Sequence, residues 1–97
     1  MDFQFHPEAE TELNISVEYY ENIEPGLGVD FASEIYQAIH RAISFPEAWA
    51  ILRGNVRRVL VGRFPYGVLY VTENDHLTVL AVMHLNKKPG YWKNRLD

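Results

Sequence analysis

The clearest apolar periodicity in the chain lies between Leu27 and Ile43. Leu27, Phe31, Ile35, Ile39 and Ile43 recur every four residues, with Ala38 and Ala42 beside them. That spacing places them on one stripe of an amphipathic helix. Small alanines next to large residues allow close packing against a neighbouring layer. Pro46 disfavours a helical residue before it, so this helix is expected to end near Ser44. Upstream, Ala9, Leu13, Val17 and Tyr20 form a second helical stripe running to about Ile23. Pro7 suits the first turn of that helix, and Glu8, Glu10 and Glu12 complement its N-terminus. Glu24-Pro25-Gly26-Leu27-Gly28 is a tight break, and so short a connection predicts an antiparallel helix hairpin.

A different period governs the rest. Asp2 to Phe5 alternates polar and apolar, with Phe3 and Phe5 on one face, and predicts a short first strand. Three further strands are expected at about 56–63, 67–73 and 76–84, separated by turns at Phe64-Pro65-Tyr66-Gly67 and Glu73-Asn74-Asp75-His76. Phe45 to Val56 reads as a loop. The order is strand, helix, helix, strand, strand, strand. That is an α+β fold, with the hairpin on one face of a small, mainly antiparallel sheet.

The last strand adds a constraint. Strict alternation puts Leu77, Val79, Ala81 and Met83 on one face and Thr78, Leu80, Val82 and His84 on the other. Both faces are largely apolar, and two consecutive helices cover only one. Either the C-terminal segment covers the second face or a partner chain does, with Leu80 and Val82 as its contacts.

Composition narrows the function classes. Ninety-seven residues predict one domain, 1–97, with one modest core. The absence of cysteine excludes disulfides, thiolate metal sites and cysteine nucleophiles, and fits a cytoplasmic location. The N-terminus lacks the basic start and apolar stretch of a signal peptide. The longest strongly apolar run, Leu77 to Met83, is far below the roughly 18 residues of a membrane helix, so no membrane association is expected. The net charge is −4, but it is split. Residues 1–40 carry nine acids and no Lys or Arg, whereas residues 41–97 carry all nine bases and four acids, Asp97 among them. An acidic helical layer and a basic sheet-and-tail surface are the expectation.

The candidate chemistry follows that split. His6, His40, His76 and His84 have no ligand spacing, and the helix carboxylates share no tight face with a histidine, so no metal or cofactor is expected. Gly26-Leu27-Gly28 follows no strand and reads as a helix-hairpin turn, not a phosphate loop. The basic set is richer. Arg57 and Arg58 alternate across one strand, so one of them projects away from the helices. Lys87, Lys88, Lys93 and Arg95 surround Tyr91 and Trp92 at the end of the chain. A metal-free ribonuclease would need cations for the scissile phosphate, an acid–base pair and a stacking ring. Arg58, His84, Lys87, Lys88 and Tyr91 are the candidates for those roles. The alternative is that Tyr91 and Trp92 pack the tail onto the sheet and the cations solvate its rim.

Four stretches carry a family resemblance. They are Tyr19-Tyr20-Glu21, Pro25-Gly26-Leu27-Gly28, Arg57-Arg58 through Arg63-Phe64-Pro65-Tyr66, and Leu80-Ala81-Val82-Met83-His84 through Pro89-Gly90-Tyr91-Trp92. With these the chain resembles the RelE/ParE toxins of bacterial type II toxin–antitoxin modules over essentially its whole length. The resemblance implies a toxin neutralised by a small cognate antitoxin, ParD-like or other, in a hetero-oligomeric complex. RelE-like members cleave mRNA on the ribosome, whereas ParE-like members inhibit DNA gyrase. The RelE-like catalytic arginines and tyrosine would fall near Gly67, Asn86 and Trp92, where this sequence has none of them. The Arg63-Phe64-Pro65-Tyr66 turn and the Pro89-Gly90-Tyr91-Trp92 tail look more like the ParE side. The resemblance therefore implies a gyrase inhibitor, with Arg58, Arg63, Lys87, Lys88, Tyr91, Trp92, Lys93 and Arg95 as its target surface. A ribosome-dependent mRNA endonuclease and a non-toxic antitoxin-binding module are the alternatives.

Overall fold

The computed structural model describes residues 1–96; Asp97, counted among the acids above, lies outside them. The elements run β1 (Asp2–Phe5), α1 (Pro7–Ile23), α2 (Leu27–Ser44), β2 (Ala50–Arg53), β3 (Val56–Leu60), β4 (Tyr66–Glu73), β5 (His76–His84) and a short 3₁₀ turn at Lys93–Leu96. The sheet order is β1-β5-β4-β3-β2, with β1 parallel to β5 and every other pairing antiparallel. No helix is long and apolar enough to cross a membrane.

Both helices start where local chemistry places them. Pro7 opens α1, and His6 Nδ1 accepts from the Glu8 N–H at 3.1 Å, satisfying one of the free amides of the first turn. The two helices meet closely because position 28 has no side chain: a Cβ on Gly28 would lie 2.5 Å from the Val17 carbonyl oxygen. Glu21 reaches across the hairpin and accepts from the Gly26 and Gly28 N–H groups at 2.9 and 3.0 Å. The glycine pair is thus a capped helix start, occupied by a carboxylate of its own chain.

The helix stripes meet Val59, Val61, Phe64, Tyr66, Val68, Tyr70, Leu77, Val79 and Val82 in the main core. Its centre is aromatic. Tyr20 stacks on Phe31 at 5.1 Å, and Phe64 and Tyr66 meet Phe31 edge-on at 5.1 and 4.7 Å. Burial, followed by the charge and hydrogen bond of Tyr66, pushes the Tyr20 hydroxyl up to about 12.

Two expectations are corrected here. The segment 45–56 is not all loop, because Ala50–Arg53 forms β2, an edge strand with exposed side chains. It lacks apolar alternation because neither of its faces is buried. The second correction concerns the faces of β5. Leu69 pairs with Ala81 but Tyr70 pairs with Val79, so Leu80 is a bulged extra residue. The bulge switches the alternation. Leu77, Val79 and Val82 face the helices, while Leu80, Ala81 and Met83 face the other way. Leu80 and Val82 therefore lie on opposite faces, both nearly buried at 2% and 3% exposure. The second face, Val56, Leu69, Leu80, Ala81 and Met83, is covered by Trp92 and Tyr91 of the chain's own tail.

Candidate functional site

Three features surround the end of β5: an anchored tail, a cationic cleft on one sheet face and a groove along α1 on the other. The anchor is Glu12. It comes from the middle of α1 and accepts from Arg95 Nη1 and Nη2 at 2.8 and 3.0 Å and from the Tyr91 hydroxyl at 2.6 Å. It also accepts from the Val82 N–H at 3.0 Å, and Arg95 Nη1 donates to the Leu80 carbonyl at 2.9 Å. β1 ends at Phe5, opposite Val79, so it pairs β5 no further. Glu12 and Arg95 satisfy backbone groups at the bulge that follows. The bonds to Glu12 hold the Arg95 guanidinium above its ordinary value, outweighing its burial. Burial and then Glu12 push the Tyr91 hydroxyl up, keeping it a neutral donor.

This arrangement divides the residues singled out in the sequence. Arg95 and Trp92 are buried, and the Tyr91 hydroxyl is engaged, so these three hold the tail in place. Tyr91 also has the Lys87 ammonium and the Arg95 guanidinium over its ring, at 5.1 and 4.9 Å. Arg63 sits apart, in the β3–β4 turn, 3.5 Å from Asp30 in the first turn of α2. Lys88 is exposed.

The cleft lies on the face away from the helices. Leu52, Arg53, Arg58, Met83, Leu85, Lys87, Pro89, Gly90, Trp92 and Lys93 enclose about 340 Å³. Arg58 and Arg57 project to opposite faces, as strand alternation requires. Arg57 turns to the helix side, where its Nη1 donates to the Trp49 carbonyl at 2.8 Å. Arg53, Leu52 and Leu85 were not legible as cleft residues. A Gly54-Asn55 turn before Val56 is the one local signal for the β2–β3 hairpin that carries Leu52 and Arg53.

The groove lies along α1. Glu12, Ile15, Ser16, Tyr66, Val82, His84, Lys87 and Tyr91 line one end, and Tyr19 and Tyr20 extend it. His84 belongs to this groove, with its ring 5.1 Å from Tyr66 and its Nδ1 accepting from the Asn86 N–H at 3.0 Å. Arg58 and His84 therefore line separate sites on opposite sides of the sheet, and Lys87 borders both. No general base stands beside the cleft cations: among the described residues neither carboxylate nor histidine lines it. Among the described residues there is also no cluster of His, Cys, Asp or Glu suited to a metal ion.

Comparison with known proteins places this geometry. No curated protein sequence matches the chain. Among solved structures, one described as "Chromosomal ParDE TA system from P. aeruginosa" superposes with a TM-score of 0.76 at 14% identity, covering 89% of this chain and 97% of that one. At that identity the likeness shows the shared fold. Residues 3–89 match the family described as "ParE toxin of type II toxin-antitoxin system, parDE". The chain belongs to the ParE toxin family of type II toxin–antitoxin systems.

Proposed function

We propose that this toxin acts by binding, with DNA gyrase as its target and a cognate antitoxin as its inhibitor. The observation that carries the reading is the separation of the ribonuclease candidates. RNA cleavage needs a base, an acid and phosphate-binding cations around one phosphate. Here Arg58 lies in the cleft, His84 lies in the α1 groove, and the Tyr91 hydroxyl is held by Glu12. A gyrase inhibitor needs a binding face and none of that convergence. Lys87, Lys88 and Lys93 supply the exposed cations of such a face, with Arg58 behind them.

The antitoxin surface we propose is the α1 groove. Ile15, Tyr19 and Ile23 recur every four residues on α1 and are 64%, 59% and 59% exposed. An amphipathic antitoxin helix would bury that stripe, each large side chain contributing about 1.5–3 kcal/mol. Val82 lies at the groove floor, whereas Leu80 is sealed beneath the tail on the other face.

Inducible expression of the chain in bacteria tests the reading. Growth arrest is expected, relieved by co-expressed antitoxin, with plasmid DNA from arrested cells losing its negative supercoiling and messenger RNA remaining intact. Unimpaired growth would identify an inert binding module. Arrest with codon-specific cuts in messenger RNA would identify a ribonuclease.

A further inference from the structure

The cleft concentrates positive charge that lies outside the ion pairs of the described residues. Arg53, Arg58, Lys87 and Lys93 line it with no opposing carboxylate among the described residues. Like charges gathered without a counterion repel one another, and an anionic ligand relieves that repulsion. The buried Nε–H of Arg58 has no partner among the described residues, unusual for a buried donor.

Two glycines shape the same site. A Cβ on Gly67 would lie 2.8 and 2.9 Å from Cδ and Cγ of Arg58. A Cβ on Gly90 would lie 2.5 Å from Cε and 3.1 Å from Nζ of Lys93. Gly67, on β4, makes room for the stem of Arg58, whereas Gly90, in the tail, lies beside the end of the exposed Lys93 side chain. Arg58 is thus held against the β4 backbone, which reduces the rotamer freedom a ligand would otherwise remove.

The floor defines the ligand further. Leu52, Met83, Leu85 and Trp92 give the cleft an apolar base beneath its cations. Inorganic phosphate or a purely acidic peptide such as polyglutamate would leave that base unused. A nucleotide unit uses both, with its phosphate on the guanidinium and ammonium groups and its sugar and base over the apolar floor. The 340 Å³ is at the small end of the roughly 300–1,000 Å³ typical of ligand sites and suits one such unit. Only an unpaired strand presents a free base face to such a floor.

We propose that this cleft binds single-stranded nucleic acid, with one nucleotide seated over the floor and that unit's phosphate and its neighbours along the strand held by Arg53, Arg58 and Lys93. The site does not depend on gyrase being the target, because it is built from the chain's own cations and floor. Fluorescence anisotropy of a labelled single-stranded DNA 12-mer with the purified full-length toxin tests it. Binding should weaken with salt, with a slope of about −2 in log K against log salt for three phosphate contacts. Arg53→Gln with Lys93→Gln, both at exposed positions, should weaken binding about tenfold or more and flatten that slope by about one to two. Arg58→Gln should also weaken binding and flatten the slope by about 0.7, with thermal unfolding confirming that each variant folds. Arg41→Gln, which removes one charge from α2, should change affinity by less than about twofold. Polyglutamate and free mononucleotide should displace the strand only at far higher concentration. Unchanged binding in the folded cleft variants would overturn the proposal. So would equal displacement by polyglutamate, which would make this an acidic-polypeptide site, or by mononucleotide, which would remove the strand from it.

Discussion

Arg95 and Glu12, 83 residues apart in sequence, form a two-pronged ion pair, with Nη1 and Nη2 donating to separate carboxylate oxygens at 2.8 and 3.0 Å. Arg95 is buried, so removing Glu12 strands a guanidinium away from water. Glu12→Ala should destabilise the protein by about 3 kcal/mol. The double variant Glu12→Ala/Arg95→Met should cost less than the sum of the two single changes. Urea denaturation of all four proteins measures that coupling.

Truncation after Leu85 probes the same anchor. It strips Trp92 and Tyr91 from Leu69, Leu80 and Met83 and leaves Glu12 without its cation. The truncated chain should lose its cooperative thermal transition. Reading the tail as a detachable target-binding segment predicts instead that the truncated chain stays folded. Circular dichroism melts distinguish the two.

Gly28 is the closest point of the helix hairpin. Gly28→Ala places a methyl 2.5 Å from the Val17 carbonyl oxygen, and backbone has to move. A loss of about 1–3 kcal/mol is expected from overpacking, measured by denaturant titration. Ala at the exposed Gly26 meets no atom but is strained by its φ of 91°.

The Tyr20 hydroxyl gives stability an alkaline limit. Its folded value, about 12, lies above the ordinary 10.0, so folding favours the neutral phenol. Below pH 10 that contribution is fully present; it is lost as pH rises through about 12. Tyr70 and Tyr91 shift in the same direction and add to the loss. Tyr20→Phe should flatten, without abolishing, the fall in unfolding free energy across that window. Denaturant titrations at a series of alkaline pH values measure it.

The helices were legible because four-residue spacing in Leu27, Phe31, Ile35 and Ile39 reports burial directly. The sheet was legible in outline and misread in two places. β2 was missed because Ala50 to Arg53 buries neither face and so carries no period. The faces of β5 were misassigned because alternation holds only without a bulge, and nothing in Leu80-Ala81-Val82 marks one. Arg95 read as one more tail cation because its partner, Glu12, is 83 residues away. The cleft was half legible: Arg58, Lys87 and Lys93 were already suspects, while Arg53 needed the β2–β3 hairpin to bring it there.

The proposed mode of action of this ParE-family toxin is engagement of gyrase and not cleavage of RNA. Supercoiling of relaxed plasmid by purified gyrase, titrated with the purified toxin, tests it most directly. Loss of supercoiling or accumulation of cleaved DNA is expected, reversed by the cognate antitoxin, while ribosome-bound messenger RNA stays whole. Unaffected gyrase together with cut messenger RNA would contradict it.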